Sequence, residues 1–240
     1  MSAPDFVVAA LGWRNGAPNI ADRDNQPSVR IATALFESLG VARTYEGPPG
    51  GGRLLEEGVE GELQRRLPGL VPDRDWTVDR HRRVTDFAQY QHLDRIQALI
   101  EQDESRTLSA EIGREYIIKP DVTVGVTIGE ALLLHAAVSC KWTIRSDRVQ
   151  NIRHEAVILT RHRRGRQPHI VAVTVEPLPS RLASIARGTG EIDAVYHVAL
   201  EELQEAVSGA APGAQEETLE ELVGQQRLFD FGQLASVLSL

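Results

Sequence analysis

Residues 115–127 read EYIIKPDVTVGVT and residues 132–144 read LLLHAAVSCKWTI, and the fold turns on these two stretches. The first is rich in β-branched residues, which suit a pleated, half-buried backbone. It predicts a strand pair, or one long strand bent near Pro120, because proline withholds a ladder donor and extends the residue before it. The second predicts a largely buried strand. Outward from these, Ser146 is placed to N-cap a helix running from Asp147 to about Thr160, with Val149, Ile152 and Ala156 as its apolar stripe. Strands are expected over Ile170–Val175 and Ala194–Ala199, with a helix over Ser180–Ala186 between them. Upstream, Ile31, Leu35 and Leu39 give helical spacing to Ser28–Leu39. Pro48-Pro49-Gly50-Gly51-Gly52 breaks the chain. Leu55, Val59, Leu63 and Leu67 then mark a helix from Arg53 to Leu67, ended by Pro68 and Pro72. Another helix is expected over Phe87–Gln102. Downstream, the SGAAPG run from Ser208 reads as a flexible connection and the tail from Gln215 as helical in its first half. Strands alternating with helices define an α/β fold with a central mixed β-sheet flanked by helices. We expect a single domain over 1–240, helical to about 110, a sheet core over about 111–200 and a helical, acidic tail over about 201–240.

Composition narrows the function classes. A hydrophobic fraction of 42% with 25% charged residues is ordinary for a globular domain, so disorder of the whole chain is excluded. No apolar run reaches membrane-spanning length and no basic region precedes the short N-terminal apolar stretch, so a cytoplasmic protein with no membrane association is expected. A single cysteine, Cys140, excludes an intrachain disulfide and a cysteine-rich zinc site. Histidines 135, 154, 162 and 169 lack zinc-ligand spacing, and the glycine-rich run lacks the Lys-Ser/Thr of a phosphate-binding loop. The net charge of −8 argues against nonspecific coating of nucleic acid. Its distribution says more. Residues 141–166 hold eight Lys or Arg against two acids, whereas residues 201–221 hold seven acids and no Lys or Arg. One basic segment on an acidic chain suits a focused polyanion site, although a solvated basic loop has the same composition.

Three residues within and beside this segment carry the chemistry. Asp121, after Pro120 at the start of a strand, is a carboxylate that a hydrated cation can reach; Pro-Asp also begins ordinary turns. Alternation puts Lys141, Thr143 and Arg145 on one face of their strand and Cys140, Trp142 and Ile144 on the apolar other. A lysine at that strand end can orient or deprotonate an attacking water and stabilise charge at phosphorus, or simply snorkel from the sheet edge. Glu155, fourteen residues on, can be folded back by its helix towards Lys141, or pair with Arg148 on a solvated face. Two carboxylates with water oxygens make a hard, oxygen-only set suited to Mg²⁺. Arg145, Asp147 and Arg148 crowd into four residues at a helix start. Arginine can donate twice to guanine O6 and N7, and aspartate can accept from cytosine N4, so the trio suits a G·C-rich duplex; a capping cluster of ion pairs is the plainer alternative. The Asp22–Asn25 stretch could approach the other groove or merely build a loop.

Pro-Asp, then Ser-Cys-Lys, then Arg-Ser-Asp-Arg, then Glu155, in this order and spacing, resembles the NgoMIV-like restriction endonucleases of the PD-(D/E)XK nuclease superfamily. The usual superfamily acid two residues before the lysine is here Ser139, and in the NgoMIV-like group the next helix replaces it, at the position of Glu155. The resemblance covers residues 120–155 closely and 28–93 more loosely. It implies a restriction-endonuclease-like fold and an additional acid on an N-terminal helix, Glu56 or, failing that, Glu62. It implies a Mg²⁺-dependent type II enzyme acting on double-stranded DNA. It also implies a central CCGG read by Arg145, Asp147 and Arg148 within a palindrome such as GCCGGC. A palindrome asks for a two-fold symmetric reader, hence a homodimer, and the resemblance extends this to a homotetramer binding two sites. A restriction enzyme is paired functionally with a DNA methyltransferase that protects host DNA. A repair or junction-resolving nuclease of the same superfamily, or a non-catalytic DNA-binding regulator, would share parts of this pattern.

Overall fold

The computed structural model describes residues 3–103, 105, 118–188 and 190–240, with the side chains of 146–148 outside the description. Its helices and strands, in order, are α1 Asp5–Ala10, β1 Trp13–Arg14, β2 Ala17–Pro18, α2 Gln26–Ser38, α3 Gly51–Leu70, β3 Asp75–Arg80, α4 Gln91–Gln102, β4 Val122–Ile128, β5 Ala131–Lys141 and α5 Ser146–His162. There follow β6 His169–Thr174, α6 Pro179–Ala186, β7 Ala194–His197, α7 Leu200–Ala210, α8 Ala214–Gly224, β8 Leu228–Asp230 and α9 Leu234–Leu238. Strands β3 to β8 form one sheet in chain order, apart from the small β1–β2 ribbon. The pairs β3–β4 and β4–β5 are antiparallel, while β5–β6, β6–β7 and β7–β8 are parallel. The expected α/β architecture with a central mixed sheet flanked by helices is therefore present.

Several boundaries differ from expectation, each for a local reason. Residues 115–117 of the expected first strand lie outside the described part; β4 begins only at Val122, after Pro120 and Asp121. The second strand stops at Lys141 rather than Ile144, because the Ile144 N–H is taken by a side chain, Glu176 Oε2 at 2.7 Å, and not by a neighbouring strand. Ser146 is the first helical residue of α5, and Arg145 occupies the N-cap without a side-chain bond. Pro68 does not end α3 but lies inside it, near its C-terminal end. There its ring costs a single bond, while buried Leu67 holds the last turn and accepts the Val71 N–H. The expected helix from Phe87 starts at Gln91, preceded by a 3₁₀ turn over Val84–Asp86. Ser208–Ala210 belong to α7, so the flexible connection shrinks to residues 211–213. Strands β3 and β8, absent from the sequence reading, are the two edges of the sheet.

The core explains why the helices sit where they do. Leu55, Val59, Leu63 and Leu67 of α3 are all at most 1% exposed, each contributing about 1.5–3 kcal/mol by its burial. They join the larger apolar cluster with Val124, Val138 and Val173 of the sheet. A smaller cluster gathers Tyr90, Leu134 and Ile170. Helix α5 spans both: Val149 and Ile152 pack in the first, Ala156 and Leu159 in the second. That anchoring fixes the helix which begins beside the end of β5. Among the described residues, no helix is long and apolar enough to cross a membrane.

Candidate active site

Asp121 immediately precedes β4, whose first residue, Val122, pairs with Val138 of β5. The antiparallel pairing thus sets Asp121 against the last residues of β5. Its Oδ2 accepts the Cys140 N–H at 2.7 Å and the Lys141 ammonium at 2.5 Å. The side chains of Asp121 and Lys141 are 20% and 22% exposed, so the pair stands at a rim and not in the core. Cys140, next to Lys141 and pointing the other way, is buried, and burial pushes its thiol pKa well up. It is a packing residue, not a thiolate.

Two further carboxylates feel the charges of this pair. Glu155, on α5, has its pKa raised, first by burial; the Lys141 charge opposes the shift and Asp121 adds to it. Glu56, on α3, is also raised, by burial and then by Asp121, with His81, Lys141 and Arg80 opposing. Its Oε2 lies 3.1 Å from His81 Nε2, just beyond β3. Glu62 is engaged instead by Arg65 at 2.7 Å and Arg66 at 3.8 Å, so Glu56 is the N-terminal acid that feels the Asp121–Lys141 pair. Trp142 helps to set α3 in place: a Cβ on Gly51 would stand 2.5 Å from its ring. Asp121, Lys141, Glu155 and Glu56, from four separate segments, thus interact electrostatically at one end of the sheet.

Three carboxylates around one ammonium leave an excess of negative charge; burial comes first in raising the Glu155 and Glu56 pKa values, and the Asp121 charge adds to both. A divalent cation would relieve that excess. Among the described residues no three acidic, imidazole or thiol groups form a ready-made cage. One or two carboxylates completed by water and phosphate oxygens is, however, the usual donor set for Mg²⁺, so the residues present fit that ion.

Arg145 is exposed and lines a cleft of about 960 Å³ whose walls include Thr143 and Ile144 but none of Asp121, Lys141, Glu155 and Glu56. Asp22, Arg23 and Asp24 line it as well. Asp22 pairs with Arg181, and this bond is the main cause of its lowered pKa. The Asp22–Asn25 stretch also builds its own loop: Asp22 Oδ1 accepts the Asp24 N–H at 3.1 Å, and Asn25 caps α2 through the Ser28 N–H at 2.9 Å. The backbones of Asp147 and Arg148 lie in the first turn of α5; their side chains are outside the described part. Sequence reasoning passed over Glu176, Arg181 and His81. For Glu176 a signal existed: an acid inside VEPLP, directly after an apolar strand.

The family model described as NgoMIV restriction enzyme matches residues 6–130 and 124–240. The type II restriction enzyme NgoMIV of Neisseria gonorrhoeae is 38% identical over 229 residues, covering 79% of this chain and 78% of the relative. Two solved structures were also matched. A complex of the pre-specific restriction endonuclease BsaWI with DNA is 14% identical, with TM-score 0.35, covering 74% of this chain and 64% of that one. A complex of the restriction endonuclease PspGI with substrate DNA is 11% identical, with TM-score 0.37, covering 86% and 70%. At such low scores neither bears on the residue assignments. The family match and the curated relative define the class: type II restriction enzymes, which are site-specific deoxyribonucleases. Within that class the chain belongs to the NgoMIV restriction enzyme family.

Proposed function

We propose that this enzyme hydrolyses double-stranded DNA, in a Mg²⁺-dependent reaction, at a palindrome with a central CCGG such as GCCGGC. One observation carries the reading: Lys141 is bonded to Asp121 while Glu155 and Glu56 interact with both. Asp121 and Glu155 would hold the metal. When bound, Mg²⁺ would polarise the scissile phosphate and lower the pKa of water. Lys141, tethered to Asp121, supplies a fixed positive charge that orients the attacking water and stabilises charge building on the phosphate oxygens. Glu56 adds a third carboxylate, which keeps the site short of positive charge until a cation and DNA arrive. Arg145, Asp147 and Arg148 read the G·C pairs from the start of α5. A palindromic target is served by a homodimer, or by a homotetramer holding two sites. A DNA methyltransferase protects the same sequence in the host.

Digestion of a sequenced plasmid with Mg²⁺, with fragment ends mapped, tests this reading. Discrete fragments ending at CCGG-centred palindromes, and none with Lys141→Ala, are expected. Cutting governed by branched or damaged structure would favour a repair or junction-resolving nuclease. Tight binding with no cutting would favour a non-catalytic regulator.

A further inference from the structure

Strand β6 ends at Thr174, and the chain then runs through Glu176 into α6. Glu176 has no exposed surface at all. A glutamate is almost never placed so unless its oxygens are engaged. Here both are. Oε1 accepts the Leu178 N–H at 3.1 Å, closing a local turn, and Oε2 accepts the Ile144 N–H at 2.7 Å. Its own N–H donates to Thr174 Oγ1 at 3.1 Å, and Arg181 Nη1 lies 3.9 Å from Oε2. The Ile144 bond is the informative one. Lys141 is the last residue of β5 to pair with β6, opposite Thr174. Ile144 follows it by three residues and Arg145 comes next. Where another rung could have formed, a buried side chain takes the N–H and the chain turns into α5.

We propose that Glu176 is a positioning residue that couples base reading to cleavage, by fixing the corner between Lys141 and Arg145. The inference rests on the proposed roles of those two residues. Glu176 touches no DNA; it sets where Arg145 meets the cleft relative to the lysine bonded to Asp121. A carboxylate suits the task because two N–H donors converge on two acceptor oxygens. An amide offers one oxygen, so Glu176→Gln turns an NH₂ group towards one of those donors. Burial favours the protonated acid, and the two bonds and Arg181 hold against it.

Steady-state cleavage by wild type, Glu176→Gln and Glu176→Asp tests this on the duplex site mapped for wild type and on duplexes with one base pair of that site changed. For Glu176→Gln the ratio of kcat/KM on the mapped site to that on the changed sites should fall at least about tenfold, the size of one misaligned bidentate base contact. That fall should exceed the fall in kcat on the mapped site. Glu176→Asp, which keeps the charge, should restore part of the ratio. A merely structural role lowers the active fraction, and so kcat alone, leaving KM and the ratio untouched. An unchanged ratio in the folded Gln variant overturns the proposal. Should that variant not fold, amide exchange at Ile144 in wild type decides: slow exchange supports the bond, and exchange as fast as in an open loop overturns it. Wild type lacking any site preference would sink the functional reading and the coupling together. A site-specific wild type with an unchanged variant ratio would sink the coupling alone.

Discussion

At the scale of single residues, strand register sets Asp121 against the Cys140 N–H and the Lys141 ammonium. Lys141→Ala should lower the cleavage rate by about 10²–10⁴-fold, with DNA still bound, as a gel-shift assay run beside a single-turnover cleavage assay would show. In the sequence Asp121, Lys141 and Glu155 could each be given a bland role, and only their order argued otherwise. Glu176 showed only as an acid inside VEPLP, and the converging N–H groups of Ile144 and Leu178, which explain its burial, come from the fold. Burial pushes its pKa from 4.5 up to about 7. With the folded-state pKa above the unfolded one, the folded protein holds the proton more tightly. The resulting stabilisation is complete below the unfolded value and lost as pH rises through about 7. Wild-type stability relative to Glu176→Gln should therefore fall between pH 4.5 and about 7, by roughly 3 kcal/mol at most. Urea midpoints across that range check it, and a pH-independent difference would show that burial does not rule this carboxyl.

At the scale of elements, long periodic segments were readable and short ones were not. The spacing of Leu55, Val59, Leu63 and Leu67 gave α3, and Val149, Ile152 and Ala156 gave the buried stripe of α5. Strand β8 has three residues and exists through its pairing with β7, which leaves little local signal. Strand β3, DWTVDR, carries charges at both ends and sits at the sheet edge, so its composition reads as a loop. The entry of α3 offers a clean test. Gly51→Ala would drive a Cβ to 2.5 Å from Trp142, whereas at Gly52 an added Cβ meets nothing within 4 Å. Gly51→Ala should cost about 1–3 kcal/mol. Because α3 carries Glu56, it should also slow cleavage. Gly52→Ala should be neutral or gain about 0.5–1 kcal/mol. Thermal melts of the two variants side by side decide; equal melting temperatures would mean that Trp142 does not set the helix.

At the scale of the molecule, the charge asymmetry was visible in the sequence, but its focus was not. The fold brings Arg145 into a cleft shared with the Asp22–Asp24 loop, a neighbour that no local pattern announces. If this cleft receives a duplex, binding should weaken steeply with salt, because phosphate contacts release counterions. A palindromic target further implies at least two chains per complex, so sedimentation at working concentration should show a dimer or tetramer; a monomer cutting both strands in one encounter would contradict it. The convergence of Asp121, Glu155 and Lys141 is what a metal titration tests most directly. Cleavage of a duplex carrying the mapped site would be followed against Mg²⁺ concentration for wild type, Asp121→Asn and Glu155→Gln, with DNA affinity measured in Ca²⁺. Both variants should need more Mg²⁺ and cut at least about a hundredfold more slowly while still binding DNA. Glu155→Gln cutting at the wild-type rate, with the wild-type Mg²⁺ dependence, would contradict it.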